Sequence, residues 1–142
     1  VNGLVFVVPG ALDQVTGGYL YDRRVVEGLR RLGREVRVLE LGGSFPEPDA
    51  AARDAFARGL AALPDATRVA IDGLALAAGE DVLAREAGRL RLVALVHHPL
   101  ALETGLSAAE SDRIAALERD LLRHFRGAIC PSWGSAAAVV AY

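Results

Sequence analysis

The sequence predicts an α/β domain built on a Rossmann-like, doubly wound parallel sheet of about five strands with helices on both faces. Strand-like and helix-like segments alternate along the chain with short connections, the pattern of a parallel sheet. The strand-like runs are almost continuously apolar, as in Leu4-Val5-Phe6-Val7-Val8, which suits strands buried on both faces. The length of 142 residues fits one such domain, large enough to bury most of its apolar surface.

The first strand runs from about Leu4 to Val8, and a helix from about Tyr19 to Leu32 is stopped by Gly33. Leu20, Val25, Leu29 and Leu32 fall near one face of that helix, with Asp22, Arg23, Arg24 and Arg30 elsewhere. Glu35 to Leu41 forms the second strand, and Gly42 to Pro48 is an irregular loop. Asp49 caps a helix reaching about Leu63, after which Pro64-Asp65 turns the chain. The third strand is Arg68 to Ile71, ending at Asp72-Gly73, and a helical stretch covers about Leu76 to Ala87. Leu90 to Val96 is the fourth strand, ended sharply by His97-His98-Pro99 because proline cannot continue a central ladder. Ser107 and Glu110 have the spacing of a capping box that opens a long helix with Ile114, Leu117, Leu121 and Leu122 on its apolar face. Gly127 to Cys130 is a short fifth strand, and Ser132 caps the last helix. The expected strand order is 3-2-1-4-5, and ligands in such folds bind beyond the carboxyl ends of the strands where the winding reverses.

Composition restricts function before any motif does. Hydrophobic residues are 52% and charged residues 24%, so the chain has the means to pack a core. A formal net charge of −2 argues against broad attraction to nucleic acid. All 16 basic residues are arginine, a bias that goes with the heavy use of alanine and makes any one arginine a weak site marker. A single cysteine excludes an internal disulfide, and no apolar run approaches the roughly 18 residues of a membrane span. With no signal peptide, these features predict a cytoplasmic protein. No basic amphipathic helix argues for membrane-surface docking. The absence of methionine and the final run Ala136 to Tyr142, a helix with no stop signal, predict a fragment of a longer protein.

The carboxyl-edge rule gathers the polar residues of interest in one crevice. Gln14-Val15-Thr16-Gly17-Gly18-Tyr19 follows the first strand and opens a helix, where backbone amides and the helix dipole favour an anion such as phosphate; a plain tight turn is the simpler alternative. His97 and His98 follow the fourth strand. Imidazole can donate, accept or change charge near neutral pH, and alternation along a strand favours His97 as the inward ring. Asp72 is either a hydroxyl acceptor or ordinary Asp-Gly turn chemistry, and Glu103 and Thr104 are polar contacts from the following loop or solvated. Two adjacent histidines without a third histidine or a nearby cysteine make a poor zinc set, so no metal is expected. Cys130-Pro131-Ser132 has no nucleophile elbow around it and reads as core and cap, while Trp133 and Tyr142 read as packing groups. Gly-x-Gly-x-x-Gly is absent after the first strand, and no lysine exists to complete a P-loop.

Thr16-Gly17-Gly18-Tyr19, Ile71-Asp72-Gly73-Leu74-Ala75-Leu76 and the segment from Val96-His97-His98-Pro99 to Gly105-Leu106 together resemble a known family. The Glu118-Arg119 pair and Ala128-Ile129-Cys130-Pro131-Ser132 continue the resemblance, which spans nearly the whole chain. It is to the amino-terminal domain of retaining GT-B glycosyltransferases of the group 1 or family 4 type. The resemblance implies that residues 1–142 are the acceptor-side domain of a two-domain enzyme whose carboxy-terminal nucleotide-sugar domain is absent here. It implies transfer from a nucleotide diphosphate sugar with retention of configuration, without a metal or other cofactor, and inactivity of this domain alone. Thr16, Gly17, Gly18 and Tyr19 would approach the donor diphosphate, and His97, with His98 next to it, would lie beside the transferring sugar and contact donor or acceptor hydroxyls. Asp72, Glu103 and Thr104 would meet an acceptor whose identity the sequence does not encode. The competing readings are a single-domain nucleotide or sugar sensor, which would bind its ligand alone, and a small oxidoreductase, which the glycine spacing does not support.

Overall fold

The computed structural model describes residues 3–142 and follows the expected alternation of elements. Strands β1 (Leu4–Pro9), β2 (Val36–Leu41), β3 (Arg68–Asp72), β4 (Arg91–Leu95) and β5 (Ala128–Ile129) form one all-parallel sheet. Helices α1 (Gly17–Arg31), α2 (Ala50–Ala61), α3 (Glu80–Glu86) and α4 (Ala108–Leu122) connect them, and α5 (Trp133–Val140) follows β5. Short 3-10 turns at Gly73–Ala78 and Leu100–Leu102 follow β3 and β4.

The strand order is 2-1-3-4-5, which corrects the expected 3-2-1-4-5. Burial is the reason. From Val69 to Asp72 every residue of β3 is buried, so the strand needs a neighbour on each side and a covering layer on each face. β2 carries exposed Arg37 and Glu40 and tolerates the edge. Leu4 therefore pairs with Val36 on one side and Arg68 on the other, and β3 stands between β1 and β4. In this order the winding reverses between β1 and β3.

Alternation along the strands divides the core. Val5, Val7, Val69, Ile71, Leu92 and Ala94 face a large cluster with Phe56 and Leu60 of α2, Leu83 of α3 and Leu121 of α4. Phe6, Val8, Ala70 and Leu95 pack on the opposite side with Val26 of α1. The apolar face expected for the first helix needs correction at two places. Leu32 ends the helix 77% exposed, whereas Asp22, expected on the polar side, is 0% exposed. Asp22 lies four residues before buried Val26, so both occupy the stripe turned toward the sheet.

The helix expected over Leu76–Ala87 is divided into the 3-10 turn and α3 by extended backbone at Gly79. A Cβ at Gly79 would lie 2.9 Å from Val82 Cγ2 and 3.4 Å from Phe56 Cδ1, so close packing of α3 on α2 requires glycine there. Arg89 completes this corner. Its guanidinium donates to the carbonyls of Leu60 and Leu63 at 2.8 and 2.5 Å and to Glu86 at 2.6 Å, satisfying acceptors left over at the end of α2. Ser107 and Glu110 make the expected capping box at α4, and Ser132 caps α5. Among the described residues no helix is long and apolar enough to cross a membrane.

Candidate functional site

The carboxyl ends of β1, β3 and β4 open onto a cavity of about 210 Å³. Thr16, Gly18 and Tyr19 come to it from the start of α1, Asp72 from the end of β3, and His97, His98 and Glu103 from the segment after β4. Placing β3 between β1 and β4 brings Asp72 to the switch point itself, between the glycine turn and the histidines. Thr16 is the N-cap of α1 but makes no side-chain cap bond, so the leading amides of the helix are not satisfied by its hydroxyl. Gly18 lies against His97, since a Cβ there would fall 3.4 Å from the ring Cδ2. The Tyr19 hydroxyl donates to the Pro9 carbonyl, pinning the first turn of α1 to the end of β1.

His97 is the centre of a buried polar cluster. Its Nε2 lies 2.8 Å from Asp22 Oδ1 and 3.4 Å from Asp72 Oδ2, and the Tyr21 ring meets it edge-on at 5.2 Å between centroids. The imidazole is 22% exposed, whereas both carboxylates are buried. Asp72 Oδ1 also accepts from the Leu74 amide at 2.7 Å and so starts the 3-10 turn, while Asp22 Oδ2 is buried without a hydrogen-bond partner. Desolvation alone would lower the His97 pKa, but the hydrogen bonds and charges of Asp22 and Asp72 outweigh it and raise it to about 9. Burial, with proximity to Asp72, pushes the Asp22 carboxyl up to about 6 against the opposing pull of His97. The two carboxyls thus favour the protonated form of the His97 ring.

The other residues named from the sequence take distinct positions. His98 is exposed on the cavity rim, its Nε2 4.0 Å from Glu103 Oε1. Gly17 is exposed, and a Cβ on it would meet nothing within 4 Å. Thr104 is exposed and is not part of the cavity wall. Trp133, expected to pack, is 94% exposed, a correction that follows from its place at the first turn of α5 beside the short edge strand. Burial raises the Cys130 thiol, which keeps it protonated and unsuited to nucleophilic work.

Three residues at the site had no site role in the sequence. Asp22 was hidden by its charge, although its spacing to Val26 places it on the buried stripe. Glu118 accepts from the Leu100 and Ala101 amides at 2.7 and 3.2 Å and from the Tyr142 hydroxyl at 2.6 Å, so it fixes the turn that follows the histidines. It lies four residues after Ile114, and that periodicity carries the signal. Buried Ser135 donates to the His97 carbonyl at 2.8 Å, and only the fold brings those two positions together. Tyr142, read as a packing group, instead adds a polar wall to the cavity, with its pKa raised by burial and by Glu118.

The cavity is richer in acid than an anion site requires. Asp72, Glu103 and Glu118 line it, with Asp22 behind His97, and no arginine contributes to the wall. Carboxylates accept hydrogen bonds from hydroxyl groups and attract cations, whereas the open amides at the start of α1 suit an anion only at the outer rim. Scanning the chain against models of known protein families gave no match, and a search among curated proteins gave none either.

Proposed function

We propose that this chain is the amino-terminal, acceptor-side domain of a retaining glycosyltransferase that uses a nucleotide diphosphate sugar. The observation that carries the reading is the approach of Gly18 to the His97 ring at the carboxyl edge, beside the switch point. The sequence resemblance assigns the glycine turn to the donor diphosphate and His97 to donor or acceptor hydroxyls beside the transferring sugar, and the two segments come from opposite sides of β3. In this reading the diphosphate meets the first-turn amides of α1 at the rim. The hydroxyl-rich part of donor or acceptor enters the acidic cavity, where Asp72, Glu103 and His97 supply acceptors and a donor. His97 Nε2 is engaged by Asp22 and Asp72, which leaves Nδ1 for a ligand hydroxyl. Oriented amides stabilise the charge that develops on the departing diphosphate, and closure against a partner domain excludes water.

The test is labelled-sugar transfer by the complete gene product. His97→Ala is expected to lower turnover by at least about tenfold, the order contributed by one well-placed polar group. His98→Ala is expected to do less, because that ring stands on the rim. Gly17→Val should fold normally, since its side chain meets open space, yet should lower transfer by obstructing phosphate. Unchanged turnover in both His97→Ala and Gly17→Val removes the assignment. A second reading, a sugar or nucleotide sensor without catalysis, draws on the fact that residues of this one chain form the cavity wall. Calorimetry separates the two: the sensor binds a sugar or nucleotide measurably as this chain alone, and the transferase domain does so weakly.

A further inference from the structure

The cluster behind the cavity has too few positive partners for its carboxylates. Among the described residues, Asp72 has the Leu74 amide, and Asp22 and Asp72 share one imidazole nitrogen, at 2.8 and 3.4 Å. Asp22 Oδ2 has none of these, although Asp22 is 0% exposed. An unpaired buried carboxylate oxygen is costly, and an ion, a proton or a ligand group is what relieves such a cost. One donor atom each from Asp22, Asp72 and His97 lies within 4.8 Å of the other two. Metal–ligand bonds of about 2.1 Å place neighbouring donors roughly 3.0–3.5 Å apart, so small side-chain rotations bring these atoms onto one ion. The surrounding wall, largely apolar, carries Glu103 and Glu118 and no arginine, which favours a cation over an anion.

We propose that Asp22, Asp72 and His97 form a binding site for a divalent transition-metal ion, with zinc the preferred occupant. The donor set determines the class. Imidazole with two carboxylates suits zinc or manganese, whereas calcium takes six to eight oxygen ligands and magnesium prefers to keep its waters. The ion takes the place of the Nε2 proton of His97 and bonds one oxygen from each carboxylate, with water completing its coordination. Asp22 is held by α1, Asp72 by the end of β3 and His97 by the end of β4, so the ion would tie together three elements at the switch point. Ser135, bonded to the His97 carbonyl, limits how far that ligand can drift. The site shares His97 and Asp72 with the sugar site proposed above, which itself requires no metal, and zinc binding is read without any transfer assay, so the failure of one reading is distinguishable from the failure of the other.

The experiment is a calorimetric titration of chelator-treated protein with zinc chloride, repeated with Asp22→Asn and with magnesium and calcium. Expected are one equivalent of zinc bound by the unmodified chain, binding at least about a hundredfold weaker in Asp22→Asn, and no comparable heat from magnesium or calcium. In parallel, the ring nitrogens of His97, followed by ¹⁵N NMR in the unmodified chain, should show zinc at Nε2, a readout that survives even if Asp22→Asn fails to fold. Absence of saturable zinc binding overturns the proposal and leaves a proton shared between the carboxylates as the resolution of the cluster. So does undiminished binding by folded Asp22→Asn, or zinc that perturbs His98, His124 or Cys130 and leaves His97 unchanged.

Discussion

At the scale of single residues, His97 shows how two buried carboxylates make an imidazole behave unlike one in water. Because Asp22 supplies the largest favourable contribution to its charged form, Asp22→Asn should bring the His97 pKa down from about 9 toward the ordinary 6.5. A proton NMR titration of the ring in chelator checks this, and an unchanged midpoint would assign the effect to Asp72 alone. His97 was legible in the sequence because it directly follows the apolar run of β4 and precedes proline. Asp22 was not, since a charged residue in a helix is ordinarily solvated and nothing local reveals that its stripe ends over a polar cavity. Thr104, for which the sequence left a polar contact and a solvated position both open, is exposed and does not line the cavity.

Among the elements, helix ends were the easiest features to read and the joints between helices the hardest. Asp49, Ser107 and Ser132 cap α2, α4 and α5 as their sequence positions suggested, because capping is a local contact between a side chain and an amide three residues on. Ser107→Ala should therefore cost about 1 kcal/mol in chemical denaturation, typical of a lost N-cap. Arg89 is the costlier change. Arg89→Met keeps much of the apolar stem but leaves buried Glu86 with only the half-exposed Arg85, and frees the carbonyls at the end of α2. About 2–4 kcal/mol is expected, the range for breaking a partly buried charged network, with urea denaturation as the measurement. The role of Arg89 was invisible in the sequence because its acceptors lie up to 29 residues away.

For the whole molecule, the parallel α/β class could be read from apolar runs and alternation, but the order of the strands depended on which strand tolerates an edge. Arg37 and Glu40 in β2, set against the unbroken burial of β3, hold that information in the sequence itself. The same central cluster sets how stability responds to pH. His97 binds its proton more tightly in the folded chain, so its contribution is complete below pH 6.5 and is lost as pH rises through about 9. The raised pKa of Asp22 acts in the same direction between 3.8 and about 6, where the folded state holds more protons than the unfolded one. Metal-free protein should lose on the order of 2 kcal/mol between mildly acidic and alkaline solution through His97, and His97→Gln should flatten that slope. Urea midpoints across the range supply the check. The two rims of the sheet carry a different consequence. β2 presents ionised side chains, and β5 is only two residues long and followed closely by Pro131, so neither margin offers a long, flat template to another polypeptide. A crowded solution of this chain is thereby protected from growing its sheet from molecule to molecule into fibrils.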